Sequence, residues 1–371
     1  MQHPGLYIHI PFCRSKCPYC GFYSVASSSL VPRWLDALTK EIILYKDLFK
    51  ETFDSLYLGG GTPTTLGLRE LNEIMDCLFT CFRFEDDTEI TIEANPGDVD
   101  NEKIAGLKSI GFNRVNLGVQ SFNDDELLFL GRRHGAQEAE QAIACLRGSG
   151  FDNIGIDLIY GLKGQSREGW KDNLVKALAF QPEHISCYQL NIEEGTPFLK
   201  MKEKGLIEPL EEAMEESLFM TTSEFLEEHG YIHYEISNFA RGGSFYSRHN
   251  RKYWGHAPYL GLGPSAHSFD GSSRWWNPRS IRGYCESLER GESPVEGQEK
   301  LTEEQKIIET VSLGLRTRWG FDKRTLIDSP ELKKVVTGLT ESGYIKVDGD
   351  MIILTKKGFL MADHLPLYFL T

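Results

Sequence analysis

Six short apolar runs, LYIHI, SLYL, EITIE, RVNLGV, NIGIDLIYGL and HISCYQL, alternate between Leu6 and about Leu190 with longer amphipathic stretches such as PRWLDALTKEIILYKDLF, LRELNEIMDCLF and GWKDNLVKALAF. Repeated βα units of this kind require a parallel sheet with right-handed helical crossovers, and six of them make an open, partial (βα)6 version of the eightfold barrel. In such a fold the reactive groups belong at the C-terminal ends of the strands. The chain agrees: a cysteine-rich loop follows Ile10, GGGTP follows Leu58, Glu93 closes ITIE and Gln120 follows NLGV. An ordinary βα fold also places polar residues there, so the pattern ranks candidates without proving chemistry.

The predicted fold class is α/β, in three parts. Residues 1–240 are expected to form the partial barrel with a following helix and strand; LEEAMEESLFMTTSEFLEEHG reads as a solvated surface helix. Residues 241–300 begin with RGGSFYSRHNRKYWGHAPYLGLGPSAHSFDGSSRWWNPRSIRGY, whose Gly, aromatic, Arg and His content reads as a long functional loop. The glycines of YLGLGPSAHSF suggest tight turns against a ligand or a neighbouring strand. Residues 301–371 read as a small α+β, winged-helix-like domain, with YIKV and MIIL forming a hairpin through DGD.

Composition narrows the function. Forty Lys and Arg against 54 Asp and Glu leave a net charge of −14, so there is no electrostatic footprint for a broad nucleic-acid surface. Apolar runs fall short of a membrane span, and MQHPGLYIHIPFC has neither the basic start nor the apolar stretch of a signal peptide, which makes the cytosol the expected location.

Eight cysteines in 371 residues are no disulfide scaffold, yet Cys13, Cys17 and Cys20 are clustered as C-x3-C-x2-C straight after the first predicted strand. Three thiolates can hold three irons of a four-iron cluster and leave the fourth iron open. Zinc is the alternative; it normally takes four protein ligands, and His9 is the residue it would recruit. Cys77, Cys81, Cys145, Cys187 and Cys285 read as reduced thiols packed among apolar neighbours.

YIHIPFCRSKCPYC resembles the cluster loop of radical S-adenosylmethionine (SAM) proteins. Over nearly the whole chain the likeness is to the oxygen-independent coproporphyrinogen III oxidase group, which includes the HemW-type haem chaperones. The resemblance implies a 4Fe–4S cluster on Cys13, Cys17 and Cys20 whose open iron is chelated by SAM, with an electron donor that reduces the cluster. It assigns SAM contacts to Tyr7, Tyr19, Gly60, Gly61, Thr62, Glu93 in IEANPG, Gln120 in GVQSF, Arg132 in LGRRH and Asp157 in IDLIYGL. Taken singly, Glu93 or Asp157 also reads as a helix cap or a partner for loop amides, and GGGTP as an ordinary turn.

Two functions are compatible with this scaffold: a radical enzyme decarboxylating porphyrinogen propionates, and a chaperone carrying haem to a haem-requiring acceptor. The oxidases have a further Cys two positions after the last cluster ligand, where this chain has Phe22 in CPYCGF, and a longer segment before the cluster loop than the twelve residues preceding Cys13. HNRKYW, with His249, Asn250, Tyr253 and Trp254, resembles the HNxxYW motif of the chaperone branch, and the resemblance makes His249 the candidate haem-iron ligand. His256 and His267 are nearby competitors. Tyr253, Trp254, Trp275 and Trp276 are candidates to sandwich the macrocycle, and Arg248 or Arg251 to meet its propionates. Packing of a long aromatic loop is the plain alternative. The expectation is a haem chaperone, with the oxidase as runner-up; a homodimer is left open.

Overall fold

The computed structural model describes residues 3–370. Six parallel strands, β1 (Gly5–Ile10), β2 (Thr52–Gly60), β3 (Arg83–Ala94), β4 (Arg114–Gln120), β5 (Ile154–Tyr160) and β6 (His184–Gln189), lie side by side in chain order. The crossovers contain α1 (Val31–Tyr45), α2 (Leu68–Cys81), α3 (Asn101–Ile110), α4 (Asp124–Phe129), α5 (Ala136–Gly148) and α6 (Arg167–Ala179). Side chains alternate between the two faces of a strand. Leu6, Ile8, Leu56, Leu58, Ile90, Ile92, Val115, Leu117, Ile154 and Ile156 are buried in one core with α1, α2, α3, α5 and α6. Tyr7, Tyr57, Glu93, Asn116 and Asp157, on the opposite parity, are left for the concave face.

The helix starts follow from local chemistry. Asp100 accepts the Lys103 amide at 2.8 Å at the head of α3, Asn123 accepts those of Asp125 and Glu126 at α4, and Ser166 accepts that of Gly169 at α6.

The sheet does not stop at six strands. Beyond α7 (Pro197–Glu203) and α8 (Glu212–Glu228), β7 (Ile232–Glu235) and β8 (Asn238–Ala240) form a hairpin whose second strand runs antiparallel to β6. After α9 (Arg248–Trp254), β9 (Tyr259–Leu262) joins the other edge, parallel to β1. There β10 (His267–Phe269), β11 (Ser273–Trp276), α10 (Ile281–Glu289) and β12 (Gly297–Lys300) complete a 12-stranded sheet.

Two expectations are corrected here. The stretch predicted as a long loop over 241–284 is largely regular structure, because Leu260 and Leu262 bury beside β1 while glycines allow close approach. Gly263, at φ +98°, is one: a β-carbon there would stand 2.5 Å from the His9 carbonyl oxygen. Likewise α8 is no fully solvated helix. Leu218, Phe219, Phe225 and Leu226 are buried, and Thr222 accepts the Trp170 indole N–H at 2.7 Å.

The C-terminal part comprises α11 (Glu303–Leu315), α12 (Pro330–Glu341), a three-stranded sheet of β13 (Phe321–Asp322), β14 (Ile345–Asp348) and β15 (Met351–Leu354), and α13 (Lys356–Phe359). The hairpin read through DGD forms, with Asp348 opposite Met351. This part has its own core around Val311, Leu315, Phe321 and Ile352, to which α8 contributes Phe219. Among the described residues no helix is long and apolar enough to cross a membrane.

Candidate functional site

The concave face of the sheet bounds a cavity of about 640 Å³, the size of a small-molecule or cofactor site. Its lining includes Tyr7, Tyr57, Glu93, Asn116, Gln120 and Asp157 from β1 to β5, together with Cys13, Cys17 and Cys20 from the loop between β1 and α1. Strand parity therefore brings residues scattered over 150 positions of sequence to one place.

The cysteine loop is pinned at its base. Cys13 donates its amide to the Val25 carbonyl at 3.1 Å, and the Val25 amide returns to the Pro11 carbonyl at 2.8 Å. All three thiols are unpaired and half-buried. Thr62 donates its hydroxyl to the Cys13 sulfur at 3.5 Å and Arg132 donates to the Cys17 sulfur at 3.4 Å. His9, the residue zinc would recruit, is engaged elsewhere: its Nε2 meets the Tyr23 carbonyl at 2.9 Å and its Nδ1 the Tyr7 hydroxyl at 3.1 Å. Among the described residues no three His, Cys, Asp or Glu converge on a single ion-sized point.

The glycine turn has a structural explanation. Gly61 and Thr62 donate their amides to the Ile10 and Phe12 carbonyls at 2.8 and 2.7 Å, and a β-carbon on Gly61 would stand 2.5 Å from the Phe12 oxygen. The turn thus fastens the cysteine loop, and Gly60, Gly61 and Thr62 all reach the cavity wall.

Glu93 receives the Tyr57 hydroxyl at 2.8 Å and the Gly60 amide at 3.1 Å. Burial, which outweighs the Tyr57 hydrogen bond and is reinforced by the charge of Asp157, pushes its carboxyl up to about 7. Asp157 is raised by burial as well and accepts the Asn116 amide at 2.6 Å. Arg132 spans Cys17, the Tyr19 hydroxyl at 3.4 Å and the Gly118 carbonyl at 2.8 Å. Asp157 Oδ1, Gln120 Oε1 and Arg132 Nε are buried without any hydrogen-bond partner. Such atoms cost free energy unless a ligand pairs them. Two acceptors and a guanidinium nitrogen beside three thiols fit SAM on an iron–sulfur cluster: acceptors for hydroxyls and an ammonium, a donor for a carboxylate.

Of the HNRKYW residues, His249, Asn250 and Tyr253 line the same cavity. His249 is buried; its ring stacks on Tyr57 at 5.2 Å and Tyr7 at 6.0 Å between centroids, its Nε2 meets the Tyr253 hydroxyl at 2.9 Å and its Nδ1 the Ser55 hydroxyl at 3.3 Å. Burial, helped by the charge of Lys252, pushes its pKa down to about 3, so the imidazole is neutral.

The other aromatic and basic candidates lie elsewhere. Trp254 does not line the cavity. At 3.6 residues per turn it falls about 140° round α9 from His249, and its ring packs under the Arg316 guanidinium. Trp275 donates to the Tyr45 hydroxyl at 3.0 Å, and Trp276 stacks on His267. Arg248 pairs with Asp87 at 2.8 Å, Arg251 lies over Trp319, and His256 contacts Glu309 at 2.9 Å, so none of these faces the cavity.

Tyr57, Asn116, Tyr188 and the exposed Phe22 also line it and were not singled out from sequence as binding residues. The signal for two of them was present. Asn116 is a lone polar residue inside RVNLGV, and Tyr57 has the inward parity of Tyr7, its register partner in β1.

Residues 7–176 match the model of the radical SAM superfamily. The chain is 33% identical over 367 residues to the haem chaperone HemW of Bacillus subtilis, covering 96% of both chains, and 34% identical over 349 residues to that of Synechocystis, covering 91% of this chain and 84% of the other. Among solved structures, coproporphyrinogen III oxidase of Escherichia coli, a radical SAM enzyme, is similar with a TM-score of 0.86 and 26% identity over 100% of this chain and 91% of that one.

Proposed function

Since the chain belongs to the HemW family of radical SAM proteins, we propose that it is a cytosolic haem chaperone that binds haem in the barrel cavity and delivers it to a haem-requiring acceptor protein. The observation that carries this reading is that His249, Asn250 and Tyr253 line the same cavity as the three thiols. Phe22 in place of a further cysteine supports it over porphyrinogen turnover.

In this reading Cys13, Cys17 and Cys20 hold three irons of a 4Fe–4S cluster and leave the fourth for SAM. When bound, the cluster supplies one-electron chemistry to the SAM sulfonium. Arg132 and Thr62 hold two of the ligand sulfurs by hydrogen bonds, while Glu93, Gln120, Asp157 and Tyr19 orient SAM. His249 offers haem iron a neutral imidazole, the ligating form. Its Nε2 is held by Tyr253, so ligation requires that hydroxyl to move away.

The test is a haem titration of anaerobically reconstituted protein followed at the Soret band, with His249→Ala beside it. The expected result is saturable binding of one haem per chain, weakened about tenfold or more by the substitution. Absence of specific binding overturns the chaperone reading. The second reading, decarboxylation of coproporphyrinogen III, is favoured by the full-length likeness to the E. coli enzyme; it predicts carbon dioxide release with SAM and reductant.

A further inference from the structure

We propose that Glu89, the first residue of the EITIE run and one to which the family resemblance assigns no role, is a positioning residue that sets the placement of His249 toward haem. The inference rests on the haem reading of His249.

Glu89 lies on β3 with the parity of Glu93, so one strand carries both a cavity carboxylate and, four residues earlier, a second buried one. Its Oε1 accepts the backbone amides of Arg248 at 2.9 Å and His249 at 3.3 Å, the first two residues of α9. The first amides of a helix have no partner within it, and a carboxylate is the group they and the helix dipole favour. Glu89 Oε2 is 3.6 Å from the buried guanidinium of Arg114 on β4, and Arg114 donates to the Phe245 carbonyl at 3.2 Å, just ahead of the N-cap Ser247. The pair therefore clamps both the entry to α9 and the amide of His249 itself.

The rest of α9 is held separately. Lys252 pairs with Asp54 at 2.7 Å and Arg248 with Asp87 at 2.8 Å. Those pairs keep the helix docked when Glu89 is changed, whereas the backbone of His249 loses its acceptor. The ring depends on that backbone, because Tyr7, Tyr57 and Ser55 meet it only at its present position.

A purely structural role, neutralising Arg114, makes a different prediction. Glu89→Met removes the charge and the acceptor and leaves a buried guanidinium uncompensated, which endangers folding. The double variant Glu89→Met/Arg114→Met removes both charges together with the acceptor for the two amides, an apolar replacement that buried ion pairs often tolerate. The test compares these variants with wild type and His249→Ala in haem affinity, Soret maximum and ferric haem spin state, with irons per chain and SAM affinity as controls. In the double variant we expect haem binding weakened about tenfold, with the Soret maximum and spin state displaced toward those of His249→Ala, and unchanged iron and SAM. A double variant with the wild-type haem spectrum and affinity overturns the proposal, whether or not the single variant folds. If His249→Ala shifts the spectrum and the double variant does not, only the role of Glu89 falls. If His249→Ala leaves the spectrum unchanged, the haem role of His249 falls and takes this inference with it.

Discussion

The two halves of the cavity are finished to different degrees. On the side of the cysteine loop, three thiols, Gln120 Oε1, Asp157 Oδ1 and Arg132 Nε are left without full pairing. On the side of α9, His249 has both ring nitrogens engaged and two tyrosines stacked against its ring, on a helix fastened by two ion pairs and a carboxylate. Unpaired buried polar atoms store a cost that a ligand relieves on arrival. A saturated imidazole must give something up first. Under the proposed function one half is therefore organised in advance for SAM, and the other must open for haem.

The most drastic way to break this contrast is to remove the open half. Replacing Cys13, Cys17 and Cys20 together by Ala is expected to abolish bound iron and sulfide and the visible absorption of the reconstituted protein, with little change in far-ultraviolet circular dichroism; retention of four irons refutes the ligand set. Gly61→Val attacks the same half through its frame. The added carbons collide with the Phe12 carbonyl and should destabilise the fold by about 1–3 kcal/mol while lowering SAM affinity at least about tenfold, read by thermal unfolding and calorimetry.

Acidity sharpens the contrast. Because Glu93 titrates near 7 in the free protein, a cationic ligand that prefers its ionised form must displace a proton below that pH. SAM affinity should therefore be flat above about pH 7 and fall by up to about tenfold per unit below it, and Glu93→Gln should remove this slope. His249, held neutral down to about 3, should add no step of its own to haem binding between pH 5 and 8. The smallest effect tests the closed half directly. Tyr253→Phe removes the hydroxyl from Nε2, worth about 1 kcal/mol, and should tighten haem binding a few-fold in the same Soret titration. Weaker binding would mean that Tyr253 itself holds the ligand.

Much of the open half was legible in the chain, because its residues occupy strand ends and their types are tied to local motifs: the thiols by spacing, Glu93 and Asp157 by closing or interrupting apolar runs. The closed half was legible only as a string of letters. HNRKYW named His249, yet the string does not reveal that it forms a short helix, that Trp254 turns away toward Arg316, or that Trp275 and Trp276 belong to a strand remote from the cavity. Residues 241–284 looked irregular because their many glycines, serines and prolines carry turn and loop statistics; pairing of β9 with β1 overrides those statistics, since Leu260 and Leu262 gain more from burial than the local chain preferences cost.

Periodicity and spacing, which depend only on near neighbours in the chain, determined the six βα units, the three-cysteine loop after the first strand and the C-terminal hairpin. What the tertiary structure decided depends on contacts between distant segments. Glu89 meeting the amide of His249 spans 160 residues, Ser55 meeting its ring 194, and Gly263 fits against His9 only because β9 pairs with β1. A hydrogen bond or a close approach at such separation leaves no local pattern, because either partner alone is simply a carboxylate, a serine or a glycine until the sheet brings the other beside it.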